Sequence, residues 1–256
     1  MRRIYTFLFL LISVSLHAQD DAAELAKKLA NPIASLISVP LQNNTDFGIG
    51  SLEGTRNTLN IQPVIPVRLS ENLNLITRVV LPVVRQSNIT GPGEVQNGLA
   101  DAVVSAFFSP SNSSLTWGVG PAFLVPVGSD NFSFDQFGVG PTGVILNQSG
   151  GFTYGGLFNQ IWGLSGDETD FSQLFLQPFL VYNWASGAGV GGNLEYTRNW
   201  SSDTDVLWLN PTVSGVTSLG NQKIQMVLGP RFNLAAPENA KSKWGIRAVL
   251  IFIFPT

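Results

Sequence analysis

The chain has 256 residues with 14 basic against 17 acidic side chains, no cysteine, 26 glycines, and charged residues at only 12%. The lack of cysteine excludes disulfides and thiolate metal centres, and the sparse, net negative charge excludes a nucleic-acid-binding surface. Soluble domains carry about 25% charged residues, so half that value with many glycines suits a wall that stands in lipid.

Residues 1–18 read MRRIYTFLFLLISVSLHA, where Arg2 and Arg3 precede an apolar run from Ile4 to Leu16 and Ala18 is placed for cleavage. This is the pattern of a secretory signal peptide, and the run is shorter than the ~20 residues a spanning helix needs. Without its two arginines the mature chain carries 12 basic and 17 acidic residues, a net charge of −5. Residues 19–32 hold the one helical candidate, in which Leu25, Leu29 and the alanines recur at helical spacing and Pro32 ends the run. A short amphipathic helix is expected there, either at the periplasmic rim, the preferred placement, or inside the barrel as a partial plug.

Residues 33–256 read as one domain of twelve alternating segments: 33–41, 56–69, 72–85, 98–109, 115–127, 136–147, 151–163, 173–185, 187–199, 204–218, 222–234 and 243–254. Short turns at 70–71, 111–114, 147–150, 186 and 220–221 alternate with longer loops at 42–55, 86–97, 128–135, 164–172 and 235–242. Even strand numbers, short periplasmic turns and longer outer loops belong to bacterial outer-membrane barrels. The fold expected is therefore all-β, a transmembrane antiparallel β-barrel of about 12 strands with both ends on the short-turn side.

Charge and aromatic placement agree with that orientation. Eleven of the 17 acids (Asp46, Glu53, Glu94, Asp130, Asp135, Asp167, Glu168, Asp170, Asp203, Asp205 and Glu238) fall in or beside the expected outer loops, as a solvated surface or as a rim for divalent cations. Trp162, Trp200, Trp208 and Trp244 are expected in an outer girdle, Trp117 and Trp184 in a periplasmic one.

Four expected strands carry a proline near the middle, at Pro63, Pro141, Pro178 and Pro211, where a sheet normally excludes it. Each lies on the apolar parity and so faces lipid, which turns the preceding Gln62, Gln177 and Asn210 into the lumen. The same parity sends Asn72, Asn74 and Arg78, then Asp101 and Ser105, then Asn193 and Glu195, then Gln225, Arg231 and Asn233, and finally Arg247 inward. This lining is polar and close to neutral, with a slight positive excess. Interior packing explains any single member as well as solute contact does; the set carries the reading.

The stretches LANPIASLISVPLQNNTDFGIG (29–50), LNIQPVIPVRLSENLNLITRVVLPVV (59–84), GLADAVVSAFFSP (98–110), WGVGPAFLVP (117–126), FNQIWGLSG (158–166) and LQPFLVYNW (176–184) resemble the outer-membrane barrels named for the meta-pathway of phenol degradation. The resemblance spans most of the mature chain and implies an outer-membrane barrel with a transport role; it implies no substrate and no functional residue. One departure is the end, IFIFPT, where Phe252 and Phe254 stand in for the terminal aromatic that barrel assembly machinery recognises.

No enzyme is expected, because the one histidine, His17, lies in the signal peptide and leaves neither a Ser-His-Asp triad nor a histidine metal cluster. The glycine spacing at 187, 189 and 192 follows a tight turn instead of opening a helix, so close strand packing explains it better than a dinucleotide loop, and no cofactor is expected. The function expected is a channel for small uncharged or weakly polar solutes, aromatic and hydrophobic ones included. The alternatives are a structural or adhesive outer-membrane barrel with no open pore, and a soluble ligand-binding β-barrel. Expected partners are outer-membrane lipid and lipopolysaccharide, a small solute and the barrel assembly machinery, with no nucleic acid; the oligomeric state is not legible.

Overall fold

In the stretch 222–235, QKIQMVLGPRFNLA, Gln225 and Arg231 are 6% and 5% exposed while Met226 and Leu228 are 54% and 56% exposed. Polar side chains are hidden and apolar ones face out, the inverse of a water-soluble domain and the pattern of a membrane barrel with a polar interior.

The computed structural model describes residues 22–111, 113, 115–164 and 171–254. The expected signal peptide with His17, and the acids Asp167, Glu168 and Asp170, lie outside the described residues. The strand segments are β1 (Ile37–Ile49), β2 (Gly54–Ile61), β3 (Val64–Arg68), β4 (Leu73–Ser87), β5 (Val95–Leu99), β6 (Ala102–Pro110), β7 (Thr116–Val125), β8 (Gly138–Ser149), β9 (Phe152–Gly163), β10 (Ser172–Asn183), β11 (Ala188–Asn199), β12 (Thr204–Leu219), β13 (Gln222–Ala235) and β14 (Trp244–Phe254). β2 and β3 both lie between β1 and β4, and β5 and β6 both pair with β4, so each couple forms one interrupted wall strand and the wall has twelve. Every pairing is antiparallel, and β14 closes on β1 from Ile37↔Phe254 to Phe47↔Trp244. Closure leaves no open edge and satisfies the backbone strand to strand, as lipid requires.

Both ends of the wall lie on the side of the short connections 69–72, 150–151, 184–187 and 220–221. The opposite rim carries 88–94, 126–137 and 236–243, but also the four-residue turns 50–53 and 200–203. The first strand is the main correction, because β1 runs to Ile49 where an end near 41 and a loop over 42–55 were expected. Asp46, expected at the outer rim, is consequently inside the wall strand and buried.

The prolines break the ladder on one side at a time. Pro178 pairs with Gly156 of β9, while pairing with β11 lapses between Leu176↔Tyr196 and Phe179↔Asn193. Pairing of β12 with β13 lapses between Leu209↔Phe232 and Val213↔Leu228, where Pro211 and Pro230 sit, and that of β8 with β9 lapses around Pro141. Pro63 occupies the break between β2 and β3, bridged by bonds from Gln62 N to Pro40 O at 2.9 Å and from Val79 N to Pro63 O at 3.1 Å. Each missing donor costs one bond in a strand still held from its other side.

Aromatic residues gather at both ends. Phe47 stacks on Trp244 at 4.6 Å near the outer rim, and Tyr182 meets Phe152 and Trp184 at 4.7 and 5.4 Å near the short turns. Trp208 is the exception to the expected girdle: two residues from the inward Asn210, it faces the lumen under the Arg231 guanidinium, 4.1 Å from its ring centre.

The helix, residues 22–29, lies inside the short-turn end and not at its rim, which corrects the preferred placement. Ala26 is fully buried, Leu25 and Leu29 pack with Leu36 against Val227, Val249, Ile251 and Ile253, and Ile33 joins Val64, Ile76, Phe107, Val144, Leu146 and Leu157. Gly187, at φ +80°, allows this approach, since a Cβ there would lie 2.7 Å from that of Ala22. Gln148 Nε2 donates to the Lys27 carbonyl at 2.7 Å and fixes the helix end. The lower bore is thus largely apolar where the helix meets it, with Gln148 and Asn183 as polar contacts to the helix carbonyls, and burial of the apolar side chains supplies most of the attachment.

Candidate functional site: the lumen

Register sets the lumen residues in levels. Arg231, Gly245, Asp46, Arg56, Gln86 and Gln96 are successive cross-strand partners on β13, β14, β1, β2, β4 and β5. Their side chains link along this level: Arg231 Nη1 to Asp46 Oδ2 at 3.4 Å, Arg56 Nε to Gln86 Oε1 at 2.9 Å, and Gln86 Nε2 to Gln96 Oε1 at 2.5 Å. Nearer the helix, Arg247 donates Nε to Asn44 Oδ1 at 2.8 Å and both Nη groups to Glu195, at 2.8 and 2.9 Å. Gln177 Nε2 adds a bond to Glu195 at 3.2 Å, and Arg231 Nε reaches Asn210, which in turn donates to Asn193. A fork of two parallel bonds is the strong geometry for guanidinium and carboxylate, and the surrounding amides satisfy much of what remains.

Between this network and the helix is a cavity of about 260 Å³. Of the residues assigned to the lumen from sequence, Gln62, Arg78, Gln177, Asn193, Asn210, Gln225 and Arg247 line it. Glu195 and Arg231 belong to the network beside it. Asn74 sits near the short turns, where its Nδ2 donates to Ser35 Oγ at 3.3 Å. Asp101 is buried in the break between β5 and β6, accepting from Gly128 N at 3.0 Å, Ser133 Oγ at 2.7 Å and Phe134 N at 2.7 Å. It ties down the loop 126–137, whose Ser129 also bonds Leu99 in both directions and, with Phe132, covers the inner side of Gly98.

Sequence reasoning missed Asn44 and Asp46 by ending the first strand too early, missed Arg56 by not carrying the parity of Gln62 to the start of the second segment, and missed Trp208 by weighing its nearness to the rim over its parity with Asn210. The hairpin symmetry of Asp46 and Arg56 about the turn 50–53 is the signal that would have recovered that pair. Among the described residues no group of three or more His, Asp or Glu side chains is placed to hold a metal ion.

No family model matches the chain, and no curated protein matches it. Among solved structures it is similar to the COG4313 outer membrane channel from Pseudomonas putida F1, at 16% identity over 88% of this chain and 97% of that one, with a TM-score of 0.67. The shared property is the fold, that of an outer-membrane barrel. Weaker likenesses are to OmpT, an outer membrane protein of Vibrio cholerae, at 9% identity over 85% of this chain and 98% of that one with a TM-score of 0.43, and to CdiB from Acinetobacter baumannii, at 9% identity over 85% and 60% with a TM-score of 0.38.

Proposed function

We propose that the chain is an outer-membrane channel for small uncharged or weakly polar solutes, aromatic and hydrophobic ones included, held closed by its own N-terminal helix. The observation that carries this reading is the bore itself: a polar lining above, an apolar lining below, and a separate segment seated in the lower part mainly by apolar contacts. A stopper of that kind leaves by losing packing, without breaking the wall. The residue resemblance to the phenol meta-pathway barrels and the fold likeness to a solved channel point the same way. The chemistry is transport in this reading, and the one histidine, His17, lies in the expected signal peptide.

A second reading, a structural barrel with no open pore, is favoured by one observation. The pairs Glu195–Arg247 and Asp46–Arg231 strap non-adjacent or facing parts of the wall together inside the bore.

Planar-bilayer conductance of the full chain and of a variant lacking residues 20–32 separates them. The channel reading expects rare, small openings from the full chain and steady conductance from the deletion, with weak discrimination by ion sign. Silence from both proteins leaves the structural barrel, and strong cation selectivity contradicts the lining.

A further inference from the structure

Three basic side chains line the lumen cavity, and two are committed. Lys28 pairs with Glu24 at 2.6 Å, and Arg247 gives Nε to Asn44 and both Nη groups to Glu195. Arg78 differs: its Nη2 donates to the neutral Gln62 Oε1 at 2.7 Å, and among the described residues no carboxylate lies within ion-pairing distance of it. Glu195, the acid nearest in function, is gripped by Arg247 and Gln177. A guanidinium offers five N–H groups in a planar fork that matches a carboxylate, so Arg78 keeps donors and a whole charge for whatever enters.

The rest of the cavity is divided in its chemistry. Amides of Gln62, Asn193 and Asn210 lie on the network side, whereas Leu29, Leu36, Phe179 and Val227 line the side toward the helix. Its volume of about 260 Å³ falls just under the ~300–1,000 Å³ of drug-sized ligand pockets, which limits an occupant to about one ring. Lumen arginines 56, 78, 231 and 247 outnumber the inward carboxylates of Asp46, Asp101 and Glu195 by one, so the interior favours an entering anion.

We propose that this cavity is a binding site for a small amphipathic monoanion, a single-ring carboxylate whose head is held by Arg78 and whose ring packs against the helix side. The proposal rests on the reading of the bore as a channel and departs from it in the solute, naming a singly charged class where the lining as a whole points to uncharged or weakly polar ones. One uncommitted cation matches one negative charge; a second charge on the ligand would stand in the low-dielectric interior without a partner, close to Glu195.

Calorimetric titration of the full-length protein in detergent with benzoate, benzyl alcohol and phthalate tests it. Benzoate is expected to saturate a single site, with benzyl alcohol and phthalate at least tenfold weaker. Arg78→Met should weaken benzoate at least tenfold, Arg78→Lys should recover part of that loss, and Arg85→Gln, on the outer wall, should change nothing. Equal binding of benzoate and benzyl alcohol, unchanged benzoate affinity in Arg78→Met, or no saturable binding overturns the proposal. If Arg78→Met does not fold to a heat-modifiable barrel, the comparison of probes on the native protein decides alone. Benzoate binding without bilayer conductance removes the transport reading and leaves the site; conductance with indifference among the three probes does the reverse.

Discussion

Glu195 of β11 and Arg247 of β14 hold each other by two parallel hydrogen bonds of 2.8 and 2.9 Å although the whole of β12 and β13 lies between their strands. The pair is a chord across the bore, so its loss acts on the shape of the wall as well as on local charge. Glu195→Gln leaves Arg247 buried beside a neutral amide, and breaking a buried pair in this way costs about 3–5 kcal/mol. A matching drop in the denaturant midpoint is expected, partly restored in the double variant Glu195→Gln/Arg247→Met. Arg198→Gln, which breaks pairs with Asp203 and Asp205 at the solvent-exposed outer rim, should leave the midpoint nearly unchanged. Equal losses at the two places would show that the chord carries no special strain.

Outward and inward parity predict opposite tolerances. Leu209 is exposed on the wall, and Leu209→Arg or Ile61→Arg should cost about 2–4 kcal/mol near the middle of the bilayer. Gln177→Ala removes one bond to Glu195 and should cost about 1 kcal/mol. Unfolding titrations in lipid vesicles read all three, and comparable losses would undo the assignment of faces.

Asp101 gathers three donors from the loop 126–137, and hydrogen bonds to a charged acceptor contribute about 1.5–3 kcal/mol each. Asp101→Ala should release that loop while the wall stays intact. Chymotrypsin, with Phe132, Phe134 and Phe137 as targets, should then cut at least tenfold faster on folded protein. An unchanged cleavage rate would mean that the bonds from Leu99 to Ser129 hold the loop unaided.

Topology is read by single cysteines, since the chain has none of its own. Replacements at Gly91 and Glu238, on the long connections, should react with an impermeant maleimide on intact cells. One at Asn221, in a short turn, should react only after lysis. Labelling at Asn221 on intact cells would invert the barrel.

Most strand limits were legible because alternation is strict where one face meets lipid and the other a polar bore. The first strand failed that test for a physical reason. On its outer face Asn43 and Thr45 are polar, and they are satisfied sideways by Asn57, whose Nδ2 donates to Asn43 at 3.0 Å and to Thr45 at 2.7 Å. A row of side-chain amides bonding along the wall reads in sequence as a loop. The bore shows the same division. Parity alone found Gln62, Arg78 and Arg247, but which charges pair across the lumen, and that Arg78 has no carboxylate partner among the described residues, depends on β11 and β14 meeting through the interior, a relation between residues 52 positions apart that no local pattern contains. Likewise Leu25 and Leu29 announce an apolar helix face without saying what covers it.

The prolines at 63, 141, 178, 211 and 230 have a bearing on the chain before it is a barrel at all. An unassembled chain of a dozen long, alternating strand segments with open edges is a candidate for stacking with copies of itself, and segments prone to such stacking are those free of proline. Each ladder lapse tolerated in the closed wall is, in the unfolded chain, a row of amides that cannot run unbroken from one copy to the next. In the native barrel the neighbour on the other side makes good the lost bond; in an aggregate, where every rung repeats the same gap, nothing does. The residues that look least suited to the finished sheet are thus the ones that disfavour strand stacking between unassembled chains.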